Sequence, residues 1–171
     1  MAEPNEESVP EEPKANDVVI RDFVSHDLER IWQLDQICFE PGIAYDKRTL
    51  RYFLRQQGAF TLIAENVKRE LLGFMLVHCL PADENRSEAT SNIITIDIHP
   101  TARRIGTAAK LFAEAQKRSM ANGCKVMDLE VAVNNEGAIA FYKSHGFQTT
   151  GRIEKYYNDS LDAFHMEKPL K

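Results

Sequence analysis

The hydrophobic and polar positions of the chain change their spacing along its length, and each change marks the border of a predicted element. Short runs of β-branched and other apolar residues predict seven strands, and longer segments with apolar residues on one face predict four helices. Their order is one strand, two helices, three strands, one helix, one strand, one helix and two strands, without internal repeats. The predicted strands cover residues 18–20, 60–65, 71–80, 93–99, 125–131, 147–153 and 161–168.

Polar residues and glycines set the predicted ends of the four helices. Serine, aspartate and asparagine favour the N-cap, where the side chain accepts a bond from a free backbone amide, and glycine favours the left-handed conformation that ends a helix. The candidate N-caps are Ser25, Asp46 and Asn134, the third helix follows Pro100, and the candidate stops are Gly58, Gly123 and Gly146. The pattern predicts an α/β fold: a mixed, twisted sheet of about seven strands flanked by about four helices, with at least one parallel crossover around the long helix.

The net charge of −5 lies almost entirely at the amino terminus. Residues 1–17 carry six acidic side chains and one lysine, whereas residues 18–171 carry twenty acidic and twenty basic side chains. We expect residues 1–17 to be a disordered acidic tail, because they have little apolar surface to bury, and residues 18–171 to form one domain. A neutral body has no general attraction for a phosphate backbone, so nucleic acid is not an expected partner.

The 171-residue sequence also lacks the features of membrane, secreted, disulfide-stabilised and metal-binding proteins. No apolar run approaches the length of a membrane span, and the amino terminus is acidic where a signal peptide is basic, so we expect no membrane association. Cys38, Cys79 and Cys124 lie too far apart in sequence to resemble a disulfide framework, which favours a cytoplasmic location. The five histidines lack metal-ligand spacing, and we expect no metal.

A predicted strand followed by two arginines and several small residues leads into the long helix. At a helix N-terminus the first amide groups have no partner inside the helix and lie at the positive end of the helix dipole. Gly106 and Ala108 carry little side chain, so a pyrophosphate group can approach those amides closely. The alternative interpretation is a strand-to-helix turn with two solvated arginines. Neither a Walker loop nor the three-glycine dinucleotide fingerprint is present.

This segment resembles the Q/R-x-x-G-x-G/A signature of the GNAT superfamily of acetyl-CoA-dependent N-acetyltransferases, which follows a strand that ends near a proline. The resemblance implies the GNAT fold, with acetyl-CoA as co-substrate held where the 93–99 and 125–131 strands splay apart. It further implies that the edge of the first of these strands, at Ile96 and Ile98, pairs with the pantetheine arm as an added strand does. The residues that would hold the pyrophosphate are Arg103, Arg104, Ile105, Gly106, Thr107, Ala108 and Ala109.

Two later segments resemble the same superfamily and point to one of its branches. Leu129-Glu130-Val131, Asn135 and Tyr142-Lys143-Ser144-His145-Gly146-Phe147 are similar to its second half. Lys155-Tyr156-Tyr157, with Asp162-Ala163 and Met166, is similar to a segment typical of protein N-terminal acetyltransferases, including the ribosomal-protein-alanine type. The resemblance extends over about residues 18–170 and implies direct transfer of acetyl to the α-amine of a protein's first residue.

The catalytic residues implied by the resemblance are Glu130 and Tyr142, whose spacing is that of the ribosomal-alanine enzymes. There the glutamate acts as base, through water, and the tyrosine gives its proton to the leaving sulfur. A peptide α-amine has a pKa of about 7.7–8.0, so a modest base suffices. Without the resemblance, the favoured interpretation of Glu130 is an exposed strand carboxylate, and the alternative for Tyr142 is an aromatic residue of a helix face packed on the sheet. No histidine accompanies Cys124 in a nucleophilic arrangement, so a covalent enzyme intermediate is not expected.

Further contacts follow from the resemblance. Asn135 would hydrogen-bond the pantetheine arm, a duty compatible with capping a helix. Tyr156 and Tyr157, which we expect in a polar loop, would bind the backbone of the peptide substrate and close its groove; the alternative is a pair that anchors a strand crossing. Glu40 and Tyr45, beside the segment Cys38-Phe39-Glu40-Pro41, are the candidates on the facing loop.

Asp97 departs from the family pattern, which has a small residue at this position. It is either a second carboxylate near the acceptor amine or a residue on the outer face of the sheet, and we expect the latter. Two other functions compete with N-terminal acetylation. One is a GNAT enzyme that acetylates a small-molecule amine or a lysine side chain, and the other is a non-catalytic acyl-CoA-binding module.

Overall fold

A computed structural model of the chain describes residues 17–84 and 86–171. Within them, the strands are β1 Val19–Asp22, β2 Ala59–Glu65, β3 Leu71–Leu80, β4 Thr90–Ile98, β5 Val126–Ala132, β6 Gln148–Tyr157 and β7 Leu161–Pro169. The α-helices are α1 Leu28–Cys38, α2 Lys47–Leu54, α3 Thr107–Ala121 and α4 Glu136–Ser144. The predicted order of elements is confirmed. The acidic tail predicted for residues 1–17 lies outside the described residues, apart from Asp17.

The seven described strands form one mixed sheet in the order β1-β2-β3-β4-β5-β7-β6. The β4–β5 pair is parallel and is connected through α3, which is the predicted crossover, whereas the other neighbouring strands are antiparallel. Helices α3 and α4 pack on one face of the sheet around Leu111, Phe112 and Met127. Helices α1 and α2 pack on the other face around Ile31, Leu50 and Phe74. The mixed α/β architecture predicted from the pattern is therefore confirmed.

Strands β4 and β5 separate in the middle of the sheet. Their parallel pairing covers only Thr90–Ile93 on β4 and Val126–Leu129 on β5. Beyond these residues both strands continue, β4 to Ile98 and β5 to Ala132, without pairing to each other. This splay opens a cleft at the centre of the molecule, between strands that are neighbours only at their first residues. The backbone groups of β4 and β5 that leave the ladder there need other hydrogen-bond partners.

A bulge in β4 changes the direction of its side chains. The two residues that flank Ile94 in β4 pair with two consecutive residues of β3, so Ile94 is an extra residue of β4. An insertion of this kind locally interrupts the side-chain alternation. Ile94 packs with the α1 and α2 side of the sheet, whereas Ile96 and Ile98 pack with the α3 and α4 side. The prediction that these three isoleucines share one face was therefore wrong.

The chain enters α1 through a 3-10 turn at Ser25–Asp27. The predicted N-cap Ser25 is the first residue of this turn, and the carboxylate of Asp27 instead accepts the amide of Val24 at 3.0 Å. The predicted N-cap of α2 is confirmed, because Asp46 accepts the amide of Thr49 at 2.8 Å. No helix among the described residues combines the length and the apolar character that a membrane span requires.

Candidate active site

A cavity of about 630 Å³ lies between the end of β4 and the N-termini of α3 and α4. With one exception, the residues predicted to contact coenzyme A line it. These are Ile96, Ile98, Arg103, Arg104, Gly106, Thr107, Ala108, Ala109, Asn135 and Tyr142. The exception is Ile105, whose side chain packs against the hydrophobic core beneath α3. The structure thus gathers ten of these residues around one space.

The turn that precedes α3 has an unusual backbone. Arg104 and Gly106 have φ angles of +62° and +87°, and a 3-10 turn at Pro100–Ala102 comes before them. The helix begins at Thr107, later than predicted, and the Thr107 hydroxyl donates to the last carbonyl of the 3-10 turn at 3.0 Å. Because the first bond of α3 joins the Lys110 amide to the Gly106 carbonyl, the amides before Lys110 have no acceptor within the helix.

This turn is open and positively charged. A Cβ atom placed on Gly106 would meet no atom within 4 Å, and the side chains of Arg103 and Arg104 are exposed. Free amides, the positive end of a helix dipole and two guanidinium groups are the combination that binds phosphate groups. The residues present therefore fit the diphosphate of coenzyme A.

The edge of β4 presents backbone groups to the cleft. The His99 amide donates to the Leu72 carbonyl of β3 at 2.9 Å, and antiparallel ladders alternate between inward and outward groups. The backbone groups of Ile96 and Ile98 therefore point away from β3. The Ile98 carbonyl already accepts Arg103 Nε at 3.2 Å and the Cys38 thiol at 3.4 Å, so an added strand must share or displace these donors.

Two residues of the α4 region lie at the wall of the cleft. Asn135 is the N-cap of α4, and its Oδ1 accepts the Ala138 amide at 3.1 Å; the neighbouring Asn134, which was predicted to cap this helix, is not the cap. The amide NH₂ of Asn135 remains a potential donor to a bound molecule. Tyr142 is 6% exposed and its burial raises the pKa of the phenol, so Tyr142 stays protonated at neutral pH.

A second cavity, of about 370 Å³, adjoins the first and shares the Tyr142 wall with it. Glu130 lies in this cavity, together with Glu40 and Ile43 from the loop after α1 and Tyr157 from the end of β6. Glu130 and Tyr142, which are twelve residues apart in the sequence, thus border one space. This second cavity is the candidate site for the acceptor.

The remaining two predicted acceptor residues, Tyr45 and Tyr156, are not among the residues that line this cavity. The ring of Tyr45 packs edge-on against Phe53 at 5.5 Å, and burial raises the pKa of Tyr45. The ring of Tyr156 packs edge-on against Tyr157 at 4.8 Å. Tyr45, Tyr156 and Tyr157 are close enough to influence one another's ionisation. The predicted acceptor residues therefore form one neighbourhood, in which Glu40 and Tyr157 line the cavity.

Tyr156 and Tyr157 end strand β6 and do not lie in a loop, contrary to the prediction. The strand is longer than expected because a tight turn at Asn158-Asp159, with φ angles of 52° and 53°, leads directly into β7. The backbone of Gly42 lies against the Asn158 side chain, since a Cβ atom on Gly42 would be 2.5 Å from Asn158 Nδ2. The loop after α1 and the β6–β7 turn therefore meet beside the acceptor cavity.

Glu130 belongs to a hydrogen-bonded group on the sheet. Its Oε1 lies 3.0 Å from Nδ1 of His165 on β7, and its Oε2 accepts Asn92 Nδ2 at 3.4 Å. The Tyr157 hydroxyl donates to the Glu130 backbone carbonyl at 3.4 Å. In the part of the chain that the structure describes, no group of three or more His, Cys, Asp or Glu is arranged to hold a metal ion.

Asp97 corrects a prediction, because it is 1% exposed and points beneath α1, away from the outer surface. It accepts the Thr95 hydroxyl at 2.5 Å, and its carboxyl group lies close enough to that of Asp35, which is also fully buried, for the two to influence each other's ionisation. Burial raises the pKa of both carboxyl groups, that of Asp35 to about 6. Asp35 also accepts the Tyr45 amide at 2.7 Å, so the pair ties β4 to α1 and to the loop beside the acceptor cavity.

The sequence interpretation missed His165, Asn92 and the Asp35–Asp97 pair. His165 occupies an unconstrained position of the Lys155–Met166 segment, and only the pairing of β5 with β7 brings it to Glu130. Asp35 is one helical turn from the apolar Ile31 on the buried side of α1. A carboxylate within an apolar helical stripe was the one signal that could have found it.

Comparison with protein families places most of the chain in one group. The model of the acetyltransferase (GNAT) family matches residues 26–147. An N-alpha-acetyltransferase MAK3 of Arabidopsis thaliana is 32% identical over 143 residues, which are 83% of this chain and 72% of that protein. An N-alpha-acetyltransferase of Saccharolobus solfataricus is 28% identical over 174 residues, which cover 94% of this chain and 98% of the relative.

Solved structures agree in fold. A structure of the NatC complex bound to Gag peptide and CoA contains a chain that superposes with a TM-score of 0.79 at 24% identity, over 91% of this chain and 99% of that one. The ribosomal-protein-S18-alanine N-acetyltransferase of Escherichia coli superposes with a TM-score of 0.75 at 18% identity, over 90% and 94%. At these identities the likeness shows the fold alone.

Proposed function

The chain belongs to the GNAT acetyltransferase family and is an acetyl-CoA-dependent acetyltransferase, and from this premise we propose that it transfers acetyl to the α-amine of a protein's first residue. The observation that carries the proposal is the pair of adjoining cavities at the β4–β5 splay. One has free amides and arginines for a diphosphate, the other has Glu130, and both share Tyr142. The similarity to N-alpha-acetyltransferases over most of the chain supports the same acceptor.

Acetyl-CoA supplies the activated acetyl group as a thioester. The free amides at the start of α3, with Arg103 and Arg104, hold the diphosphate, while the edge of β4 and the amide of Asn135 align the pantetheine arm. Alignment of this kind converts an encounter of two molecules into a reaction within one complex. The chain's own residues then have only two protons to move.

Glu130 takes a proton from the acceptor ammonium, directly or through one water, and so frees the nitrogen lone pair. As the new C–N bond forms and the C–S bond breaks, Tyr142 donates its proton to the sulfur, the nitrogen releases its second proton to solvent, and Tyr142 recovers a proton from solvent. Its raised pKa keeps the phenol protonated for this step. An α-amine of pKa about 7.7–8.0 gives up its proton to a carboxylate far more readily than a lysine of about 10.4, which favours a chain end as acceptor.

The loops beside the acceptor cavity suit an extended peptide. Glu40 and Tyr157 flank it from the two sides, and Gly42 meets Asn158 above it. A peptide that lies between these loops brings its first nitrogen to Glu130. The free thiols of Cys38, Cys79 and Cys124 support a reducing compartment, and we propose a cytoplasmic location.

The proposal is tested by thiol release from acetyl-CoA with short peptides that begin with Ala, Ser, Met, Gly or an acidic residue. We expect turnover with at least one of them and none with the same peptide when its amino terminus is blocked. Equal turnover of blocked peptides that carry a lysine, or turnover restricted to polyamines and free amino acids, would contradict it. Thermal stabilisation by acetyl-CoA without thiol release from any amine would instead indicate a non-catalytic module.

The assigned roles are tested with Glu130→Gln and Tyr142→Phe. Each variant nearly keeps the shape of the side chain and should lower kcat by about 10²–10⁴, the size of a general acid or base contribution, with little change in the Kd of acetyl-CoA measured by calorimetry. Near-normal kcat in both variants would contradict the roles while leaving the acceptor class open.

A further inference from the structure

His165 is held at both ring nitrogens beside the proposed base. It lies on β7 directly opposite Glu130 on β5. Its Nδ1 is 3.0 Å from Glu130 Oε1, and its Nε2 is 3.1 Å from Glu167 Oε1. Two carboxylate partners require a donor at each nitrogen, so the geometry favours the doubly protonated imidazole.

The charges around the imidazole act in the same direction. Glu130 and Asp128 approach it from β5 and Glu167 from its own strand, while on β6 its partner is Gly151, which contributes no side chain. Burial by itself lowers the pKa of His165, but the bonds to Glu130 and Glu167 outweigh it and raise the pKa above 6.5. His165 therefore carries its positive charge to a higher pH than an ordinary histidine.

Among the residues that the structure describes, the other hydrogen-bond partners of the Glu130 side chain and backbone carry no positive charge. Asn92 of β4 is neutral and divides its amide between Glu130 Oε2, at 3.4 Å, and Asp128, at 2.8 Å. The phenols of Tyr156 and Tyr157, at the end of β6, are near enough for Glu130 to influence their ionisation. Of the two hydrogen-bond partners that the structure gives the Glu130 carboxylate, Asn92 is therefore neutral and His165 is the charged one.

We propose that His165 is a positioning residue for the reaction: it holds Glu130 Oε1 by an Nδ1–H bond and leaves the less tightly bound Oε2 for the acceptor's proton. The inference rests on the proposed function, in which Glu130 is the base. The N–H bond of the ammonium breaks, an O–H bond forms on Glu130, and Glu130 releases that proton to solvent. His165 keeps both of its protons throughout.

The test compares kcat and KM of His165→Leu and His165→Asn at saturating acetyl-CoA. Leucine removes the Nδ1–H donor, so kcat should fall about tenfold, a fraction of what a general base contributes. Asparagine places an amide N–H near the Nδ1 position and should restore most of kcat. The KM for acetyl-CoA should be unchanged in both variants.

The control is His78→Leu, because His78 lies on β3 and bonds the Gln57 carbonyl, away from the cleft; its kcat should match the wild type. If His165 acts through Glu130, His165→Leu will lower kcat no further in a Glu130→Gln background. Wild-type kcat in folded His165→Leu, or no recovery of kcat in folded His165→Asn, in an enzyme that Glu130→Gln impairs, would overturn the positioning role alone. Unimpaired Glu130→Gln would overturn the role of Glu130, and the peptide panel would still decide the acceptor.

Discussion

The buried carboxyl pair Asp35–Asp97 should make the stability of the protein fall as the pH rises. Neither side chain has a cationic partner among its hydrogen bonds: Asp35 accepts amide N–H groups and Asp97 a hydroxyl. One oxygen of each, Asp35 Oδ1 and Asp97 Oδ2, has no donor other than the opposite carboxyl group. The pair therefore needs a shared proton, and burial, which disfavours the charged forms, raises the pKa of both groups.

The size of the effect follows from Asp35. Its pKa is raised from an ordinary 3.8 to about 6, and about two pKa units correspond to about 3 kcal/mol. Between these two values the folded state binds more protons than the unfolded state, so the free energy of unfolding decreases as the pH rises through this window. Asp97, raised well above its ordinary value, extends the decrease to higher pH.

Asp97→Asn should remove most of this dependence, since an amide N–H replaces the shared proton and the amide oxygen can still accept the Thr95 hydroxyl. Urea unfolding, followed by the fluorescence of the single tryptophan, Trp32, gives the free energy of unfolding at about pH 4.5 and pH 7.5. The difference between the two pH values should shrink by about 2–3 kcal/mol relative to wild type. Asp35→Asn is the reciprocal variant and should behave alike. A wild-type slope in both variants, with unchanged m-values, would refute the shared proton.

Three further predictions concern other parts of the cleft and its support. Asn135→Ala should lower stability by about 1 kcal/mol through the lost cap of α4 and should weaken acetyl-CoA binding, whereas Asn135→Asp should keep the cap and still bind acetyl-CoA weakly. Thermal melts measure the capping effect and calorimetry measures the acetyl-CoA affinity. Equal acetyl-CoA affinity in all forms would contradict the contact. Gly42→Ala strains a φ of +93°, and its Cβ atom collides with Asn158. The KM for peptide should therefore rise several-fold while the Kd of acetyl-CoA stays constant. An unchanged peptide KM would show that the loop after α1 and the β6–β7 turn do not shape the acceptor site. Arg21→Ala removes the bidentate partner of the fully buried Asp27 and leaves it the Arg30 guanidinium at 3.3 Å, which should cost about 2 kcal/mol of unfolding free energy. A loss below about 1 kcal/mol, measured in urea against Arg21→Lys, would contradict that account.

The local pattern of the sequence was sufficient for the elements that depend on neighbours along the chain. Strand β3 begins and ends at the predicted residues, and the cap at Asp46 was visible because an N-cap bonds an amide only three residues away. The turn before α3 could also be predicted from the sequence, since Gly106 lies where a positive φ and an open surface are needed. These features are local, so the residue types that satisfy them stand close together in the sequence.

The tertiary structure decided what depends on register. The bulge at Ile94 interrupts the alternation of β4, so Asp97 is buried beneath α1 where the sequence favoured the outer face. His165 meets Glu130 only because β7 inserts between β5 and β6 in the sheet. The sequence by itself determined which chemical groups exist and which local turns they favour, whereas pairing between distant strands, selected by the packing of the whole core, determined which of those groups touch.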